Sequence, residues 1–190
     1  LVRTNPRRIP VLNYHSVSSR PEWMYIGDKL AVPPDQFERH LQWLQKHNYT
    51  TLFISELHER LSGRTPMPAR QRCIAITFDD GYADNWVVAY PLLKKYGMKG
   101  TVFVSTRFVD SGQQVRPTID DTACAQGSPN WEGYLNWAEL DAMQRSGIME
   151  IQSHGHDHTR HFADRTLRGF VSPRQPNLWL LLNAAPDAHI

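Results

Sequence analysis

Three things are scarce in this sequence, and each absence argues against a class of protein. Two cysteines, Cys73 and Cys124, do not make a disulfide framework, and Cys73 lies in a strand-like run that predicts a buried free thiol. The longest tight apolar run, at 178–182, is too short to cross a membrane. A formal net charge of +2 argues against nucleic-acid binding driven by overall charge, although it leaves a local basic patch open.

The composition is that of a packed domain. The chain has 190 residues, of which 41% are hydrophobic and 21% charged. This length and this apolar fraction suit one domain, or two small ones at most. No internal repeat or domain linker is visible, so a single domain over 1–190 is expected.

Short apolar or β-branched runs alternate with segments of helical periodicity. Strands are predicted at 9–14, 50–54, 73–78, 101–105 and 148–152, and helices at 33–48, 55–63, 85–96 and 136–147. Ser55 is the predicted cap of the second helix, Pro91 predicts a kink or a late start in the third, and Asn136 with Glu139 resembles a capping box. The alternation predicts a mainly parallel α/β sheet or barrel. A polar stretch at 106–135 shows no periodicity and is predicted to be a long functional or mobile loop insertion.

The strongest functional signal is a pair of adjacent carboxylates after a buried strand. Asp79 and Asp80 follow the run 73–78 and precede Gly81, which permits a tight turn. Neighbouring side chains at a strand end point in different directions, so one carboxylate can bind a metal ion while the other acts as a base. The alternative interpretation is a turn in which an aspartate caps the next helix.

A histidine cluster follows the last predicted strand. Residues 153–158 read SHGHDH, so His154 and His158 are four positions apart and one helical turn puts both imidazoles on one side. Two imidazoles and a carboxylate suit Zn²⁺ and other first-row divalent ions. His156 would then point elsewhere, and Asp157 could orient an imidazole. The alternative is a solvent-exposed polar loop.

Strand ends bring these residues together with a further histidine. His15 follows the first predicted strand, and taken alone it is more simply a structural histidine. In parallel α/β folds, however, functional groups gather at the carboxyl ends of strands. One face of the sheet is therefore expected to carry all five candidates: His15, Asp79, Asp80, His154 and His158.

In its two main motifs the sequence resembles the polysaccharide deacetylases, the NodB-homology domain of carbohydrate esterase family 4. The runs TFDDG at 77–81 and SHGHDH at 153–158 are similar to the first and second motifs of that family. The resemblance implies a distorted (β/α)7-type barrel with Asp79 as catalytic base. It also implies one divalent metal ion, zinc first and nickel, cobalt or iron as alternatives, held by three ligands: Asp80, His154 and His158.

The opening residues are similar to one branch of the family, the poly-β-1,6-N-acetylglucosamine deacetylases. That likeness rests on VLNYH at 11–15 and implies that His15 acts as general acid. It implies hydrolysis of N-acetyl groups from an N-acetylglucosamine-containing polysaccharide in an extracytoplasmic setting: periplasm, cell envelope or secreted. The third family motif has no convincing match after His158, so the domain is expected to be incomplete or divergent at its C-terminus.

Two other functions fit the same residues. A metal amidohydrolase acting on another N-acyl substrate would use the same two motifs. A non-catalytic carbohydrate-binding or scaffold domain could retain the metal site, although such a domain has no need of a free base at Asp79. Loop aromatics are candidates for stacking on sugar rings or for ordinary packing: Trp23, Tyr25, Trp131, Tyr134 and Trp137. The metal, the polymer and the oligomeric state stay open.

Overall fold

A computed structural model of the protein describes residues 9–19, 30–66, 71–121 and 131–157. Strands and helices alternate along this part of the chain. The strands are β1 (Val11–Tyr14), β2 (Tyr49–Leu52), β3 (Arg72–Phe78), β4 (Gly100–Val104) and β5 (Met149–Ser153). The α-helices are α1 (Pro34–Lys46), α2 (Ile54–Leu61), α3 (Tyr90–Lys95) and α4 (Trp137–Ser146). None of these helices combines the length and apolarity that a membrane span requires.

The strands form one parallel sheet in the order β1-β3-β4-β5, with β2 also paired to β3. Ala75 of β3 is in register with both Val11 of β1 and Leu52 of β2, so β1 and β2 lie on opposite edges of β3. β4 pairs with Thr77 and Phe78 of β3, on the same edge of β3 as β2 but further towards its carboxyl end. Parallel strands joined by crossover helices confirm the predicted α/β class.

The core lies between the helices and one face of the sheet. β3 is apolar without alternation because both of its faces are covered, and all its residues after Arg72 are buried. Three rings join β1, α1 and β3: Tyr14 lies 5.1 Å from Phe37 and 5.6 Å from Phe78, and Phe37 lies 5.8 Å from Phe78, between centroids. These contacts fix the ends of β1 and β3 relative to each other.

Two helix starts test the predicted boundaries. The segment after β3 is irregular as Pro91 suggested: Asn85–Ala89 forms a π-helical turn, and α3 begins with Pro91 in its first turn, where no N–H is needed. The predicted cap at Ser55 is wrong, because α2 already begins at Ile54. The Glu56 carboxylate accepts a 2.9 Å hydrogen bond from the N–H of Phe53 and so takes the capping role two residues earlier.

The predicted start of α4 is confirmed. Asn136 Oδ1 accepts a 2.9 Å hydrogen bond from the N–H of Glu139, and the Glu139 carboxylate accepts a 3.0 Å bond from the N–H of Asn136. The helix ends at Gly147, whose φ of 69° suits a residue without Cβ. This capping box fixes where the chain enters the helix after the long loop.

We expect Gly81→Ala to destabilise the fold more than Gly63→Ala. Both glycines have a left-handed backbone, with φ of 81° and 77°, so each substitution costs about 1 kcal/mol in backbone strain. A Cβ on Gly81 would also lie 2.9 Å from Cγ1 of Val104, whereas Gly63 has nothing within 4 Å. Overpacking should raise the loss at Gly81 to about 3 kcal/mol. Urea unfolding measures the free energy of unfolding of both variants. An equal loss in the two would show that the Val104 side chain can move aside without an energetic cost.

Candidate functional site

Side chains that follow β1, β3 and β5 meet at the carboxyl edge of the sheet. His15 Nε2 lies 3.9 Å from Asp79 Oδ2, and His154 Nε2 lies 3.4 Å from Asp80 Oδ1. The structure therefore brings together four of the five predicted residues. The fifth, His158, lies outside the described residues.

Strand register explains why His15 meets Asp79. Tyr14 and Phe78 are partners in the parallel pairing of β1 and β3, and both rings face the core. The next residue of each strand turns to the opposite face, because side chains alternate along a strand. The N–H of Asp79 also donates a 2.9 Å hydrogen bond to the carbonyl of Tyr14, which extends the pairing to the site.

The turn after β3 separates the two adjacent carboxylates. Asp80 and Gly81 have φ of 72° and 81°, so two successive residues have a left-handed backbone conformation. A non-glycine residue rarely adopts this conformation, and aspartate tolerates it better than most. As a result Asp79 stays beside His15, while Asp80 turns towards His154.

The end of β5 is joined to the segment after β4. The N–H of His154 donates a 2.8 Å hydrogen bond to the carbonyl of Val104. His156 does point away from the carboxylates, as predicted, since its Nδ1 lies 3.0 Å from Thr106 Oγ1. The carboxylate of Asp157 lies 4.0 Å from the guanidinium of Arg107. These contacts position His154 at the edge of the sheet.

Asp80 and His154, the two candidate metal ligands that the structure describes, are spaced as a common divalent ion requires. Ligand bonds of about 2.1 Å at a tetrahedral angle put two donor atoms about 3.4 Å apart. The distance between Asp80 Oδ1 and His154 Nε2 is 3.4 Å, and the donor types suit zinc or another first-row ion. No group of three or more possible ligands occurs within the described ranges, which end before His158.

Sequence reasoning missed the residues that hold Asp79. Thr77 Oγ1 donates a 3.0 Å hydrogen bond to Asn13 Oδ1, and Asn13 Nδ2 donates a 3.0 Å bond to Asp79 Oδ2. The first bond fixes the orientation of the amide, so that its N–H points at the carboxylate. A signal was present in the sequence: Asn13 stands two residues before His15, and Thr77 two before Asp79, on the same strand faces.

A fully buried carboxylate, also missed, anchors the backbone around His15. Asp84 accepts hydrogen bonds from Ser16 Oγ at 2.5 Å and from the N–H of Val17 at 3.0 Å. Asn85 Nδ2 donates both to Asp84 Oδ1 and to the carbonyl of His15, each at 2.9 Å. Burial raises the pKa of Asp84 to about 6 in spite of these donors.

The described part of the long loop packs against the site. Arg116 Nε lies 3.0 Å from the buried carboxylate of Glu139, whose pKa burial raises. The guanidinium of Arg116 also donates to the carbonyl of Tyr134, at 2.5 Å. The Leu135 carbonyl accepts a 2.9 Å bond from the N–H of Asp110. The loop is thus tied to α4. The N–H of Leu135 also donates a 2.9 Å hydrogen bond to the carbonyl of Gly81, which joins this segment to the turn that carries Asp80.

Comparison with known proteins identifies the family. A model of the polysaccharide deacetylase family matches residues 67–175, which include Asp79, Asp80 and the whole histidine cluster. The chain belongs to the polysaccharide deacetylase family. The match begins after His15, so the assignment of His15 as candidate acid rests on the geometry of the site.

Individual deacetylases support this membership. Over 99 residues the chain is 46% identical to YxkH of Bacillus subtilis (strain 168), a protein named as a polysaccharide deacetylase, covering 52% of this chain and 32% of that one. It is 30% identical over 128 residues to the poly-beta-1,6-N-acetyl-D-glucosamine N-deacetylase of Staphylococcus aureus (strain MSSA476), covering 67% and 38%. The chain thus spans about a third of the length of these curated relatives.

A solved structure supports the fold class. The Streptococcus pyogenes deacetylase PplD, solved in complex with acetate, superposes with a TM-score of 0.58 at 28% identity. The superposition covers 80% of this chain and 57% of that chain. The predicted α/β fold of the deacetylase barrel type is therefore confirmed.

The buried Asp84 predicts a pH-dependent stability. Because its folded-state pKa is raised, the native state binds this proton more tightly than the unfolded state does. The resulting stability is present in full below the unfolded pKa of 3.8 and is lost as pH rises through about 6. Relative to Asp84→Asn, the wild type should lose about 3 kcal/mol of unfolding free energy between about pH 4 and pH 7. Denaturant titrations at several pH values measure this. If the difference in unfolding free energy between the wild type and Asp84→Asn stays constant with pH, the prediction is contradicted.

Proposed function

We propose that the protein hydrolyses N-acetyl groups of an N-acetylglucosamine-containing polysaccharide in a metal-dependent reaction that releases acetate. The observation that carries this proposal is the division of labour between adjacent carboxylates: Asp79 faces His15, while Asp80 faces His154. Family membership and the likeness to the Staphylococcus aureus deacetylase support the substrate class. The same likeness favours an extracytoplasmic polymer as substrate.

A divalent ion would be held by Asp80 and His154, with His158 as the expected third ligand. When bound, such an ion lowers the pKa of water towards ~7 and stabilises negative charge on an amide carbonyl. Placing this ion beside Asp79 without using Asp79 as a ligand leaves that carboxylate available for proton transfer.

Asp79 is the proposed general base. Its side chain is 20% exposed, so a substrate can reach it, and its Oδ2 is fixed by the amide of Asn13. The carboxylate accepts a proton from the water that attacks the N-acetyl carbonyl. The amide of Asn13 orients the carboxylate during this step.

His15 is the proposed general acid. Its Nε2 lies 3.9 Å from Asp79, which puts acid and base on the same side of the site. Asn85, which donates to the backbone carbonyl of His15, holds the residue in place. The imidazolium donates a proton to the departing nitrogen as the C–N bond breaks, so the products are acetate and the free amino sugar.

The first test measures acetate release from β-1,6-linked N-acetylglucosamine oligomers, with chelator and then with zinc added back. We expect release that chelator abolishes and zinc restores. Asp79→Asn should keep bound metal and lose about 10²- to 10⁴-fold in kcat, the range typical of a general base. Asp80→Asn, in contrast, should lose both kcat and the bound metal.

Asp141→Asn is the matched control, since Asp141 is an exposed carboxylate paired with Arg145 on α4. It should behave as the wild type does. Undiminished turnover in Asp79→Asn would refute the assigned base. A zinc-loaded wild type that binds the oligomers without releasing acetate would favour the carbohydrate-binding alternative, and release only from small N-acyl amides would favour the amidohydrolase.

The Thr77 hydroxyl should matter for turnover although it does not reach the substrate. Thr77→Val keeps the shape of the side chain but frees the amide of Asn13 to rotate. We expect kcat to fall about tenfold, which is the cost of one ordinary hydrogen bond, with KM and bound zinc unchanged. Thr77→Ser, which retains the hydroxyl, should restore kcat.

Thr101→Val is the matched control for this prediction. Thr101 is the register partner of Thr77 on β4, but its hydroxyl donates to Glu150 at 3.0 Å. This variant should lower the melting temperature and leave kcat within about twofold of the wild type, because the Thr101 hydroxyl bonds to Glu150 and not to the amide of Asn13. Equal loss of kcat in both valine variants would show that the effect is on general packing.

A further inference from the structure

An exposed tryptophan begins α4, at the edge of the sheet that carries the candidate site. We propose that Trp137 is a substrate-binding residue whose indole stacks on a sugar ring of the polymer, next to the unit that loses its acetyl group. The inference rests on the proposed function in taking the substrate to be a polymer of N-acetylated sugar units rather than a small amide.

Exposure separates Trp137 from the other described aromatic residues around the long loop. The ring of Tyr134 packs on those of Tyr82 and Phe108, at centroid distances of 5.3 and 5.0 Å, and Trp131 packs against the hydrophobic core. Trp137 is 57% exposed, so the fold gains little from an aromatic residue at this position. A single exposed aromatic residue is common on protein surfaces, so its place relative to the site decides what it can bind.

The path of the chain places the start of α4 at the carboxyl edge of the sheet. This helix leads into β5, which is parallel to its neighbour β4. Gln144 Oε1 accepts a 2.9 Å hydrogen bond from the N–H of Ile151, so the helix lies alongside the strand. Ten helical residues rise about 15 Å and five strand residues about 16 Å, so the first residue of α4 lies level with the end of β5. Trp137 is therefore at the same edge as Asp79 and Asp80.

A hydrogen bond joins the segment before Trp137 to the turn that carries Asp80. The N–H of Leu135 donates to the carbonyl of Gly81 at 2.9 Å. Because consecutive Cα atoms are about 3.8 Å apart, the Cα of Trp137 lies within about 8 Å of that of Leu135. Leu135 and Asn136 are both buried and separate Trp137 from the turn. The indole is thus placed to contact a polymer bound at the site, but beside the reacting unit rather than on it.

The indole is carried on a rigid support. Asn136 and Glu139 form the capping box of α4, and Asn136 Nδ2 also donates a 2.9 Å hydrogen bond to the carbonyl of Gln114. A side chain held on a rigid backbone loses little conformational freedom when it binds a ligand. Gln114 is itself exposed, so a residue with a polar amide lies beside this turn of the helix. Aromatic rings combined with a few polar groups are typical of sites for small organic ligands.

A sugar ring suits this surface because one of its faces carries only C–H groups, while its hydroxyl and acetamido groups lie around the rim. The indole offers a broad apolar face of matching size and a single N–H at its edge. An N-acetylated polymer of this kind has no charge, so ion pairs cannot supply its affinity. Apolar contact with an exposed indole can do so, since it removes apolar surface of both partners from water.

The test measures binding of a β-1,6-linked N-acetylglucosamine pentamer to the whole metal-free chain by isothermal titration calorimetry. Trp137→Ala should raise the Kd about tenfold, as truncation of an aromatic contact commonly does. Trp137→Phe keeps a flat ring and should recover most of the affinity. The melting temperature of both variants should stay close to that of the wild type, because the indole is exposed.

The zinc-loaded protein gives a second measurement on the same variants. Trp137→Ala should raise the KM for acetate release from the pentamer about tenfold and leave kcat within about twofold, because the indole contacts a sugar ring that does not react. Where binding to the metal-free chain is too weak to titrate, this KM decides. An unchanged KM together with an unchanged or unmeasurable Kd would overturn the inference.

Trp43→Ala is the matched control. Trp43 is 51% exposed and lies near the end of α1, and its ring is 5.7 Å from that of Tyr49, the first residue of β2, between centroids. It therefore lies at the amino edge of the sheet, opposite the site. Its alanine variant should keep the Kd for the pentamer within about twofold of the wild type. An equal loss of affinity in Trp43→Ala and Trp137→Ala would show unspecific contact with exposed aromatic residues and would also overturn the inference.

Binding and turnover distinguish a failure of this inference from a failure of the proposed function. If the wild type releases acetate while Trp137→Ala keeps both Kd and KM, the inference alone is wrong. If the wild type binds the pentamer through Trp137 but the zinc-loaded protein releases no acetate, the proposed function alone is wrong. A wild type that neither binds the pentamer nor releases acetate from it would overturn both.

Discussion

The register between β1 and β3 is the constraint on which the site depends. Tyr14 and Phe78 are partners in this register, and their rings pack together with Phe37 in the core. Because side chains alternate along a strand, the same packing turns His15 and Asp79 to the opposite face. A shift of one residue would bury one of them and remove the pair, so the hydrophobic core and the chemistry are set by one alignment.

The left-handed turn after β3 is the second constraint, and it assigns different partners to two adjacent carboxylates. Asp80 and Gly81 both have positive φ, and Gly81 lies so close to Val104 that a Cβ would clash with it. The close contact between Gly81 and Val104 places the turn against the end of β4. One carboxylate can then serve as a base while its neighbour faces His154.

The proposed base and the proposed acid are each held by polar groups. Asn13 and Thr77 hold Asp79, and Asp84 with Asn85 holds the backbone of His15. Buried polar groups are costly unless they are hydrogen-bonded, so such networks rigidify a site only when they are well satisfied. Asp84 illustrates the balance, since burial raises its pKa to about 6 even with three donors around it.

The sequence by itself determined the alternation of strands and helices, the carboxylates and histidines at strand ends, and the capping box at Asn136. These features depend on neighbours within a few residues, so periodicity and turn chemistry reveal them. The start of α2 at Ile54 was missed because the Glu56 side chain caps it and Thr101, 47 residues away, also accepts from its N–H. Only the tertiary structure decided the supports of the site: Asn13 lies 66 residues from Asp79, and Ser16 lies 68 from Asp84. Strand register and packing bring such residues together, and no local preference of the chain encodes their distance.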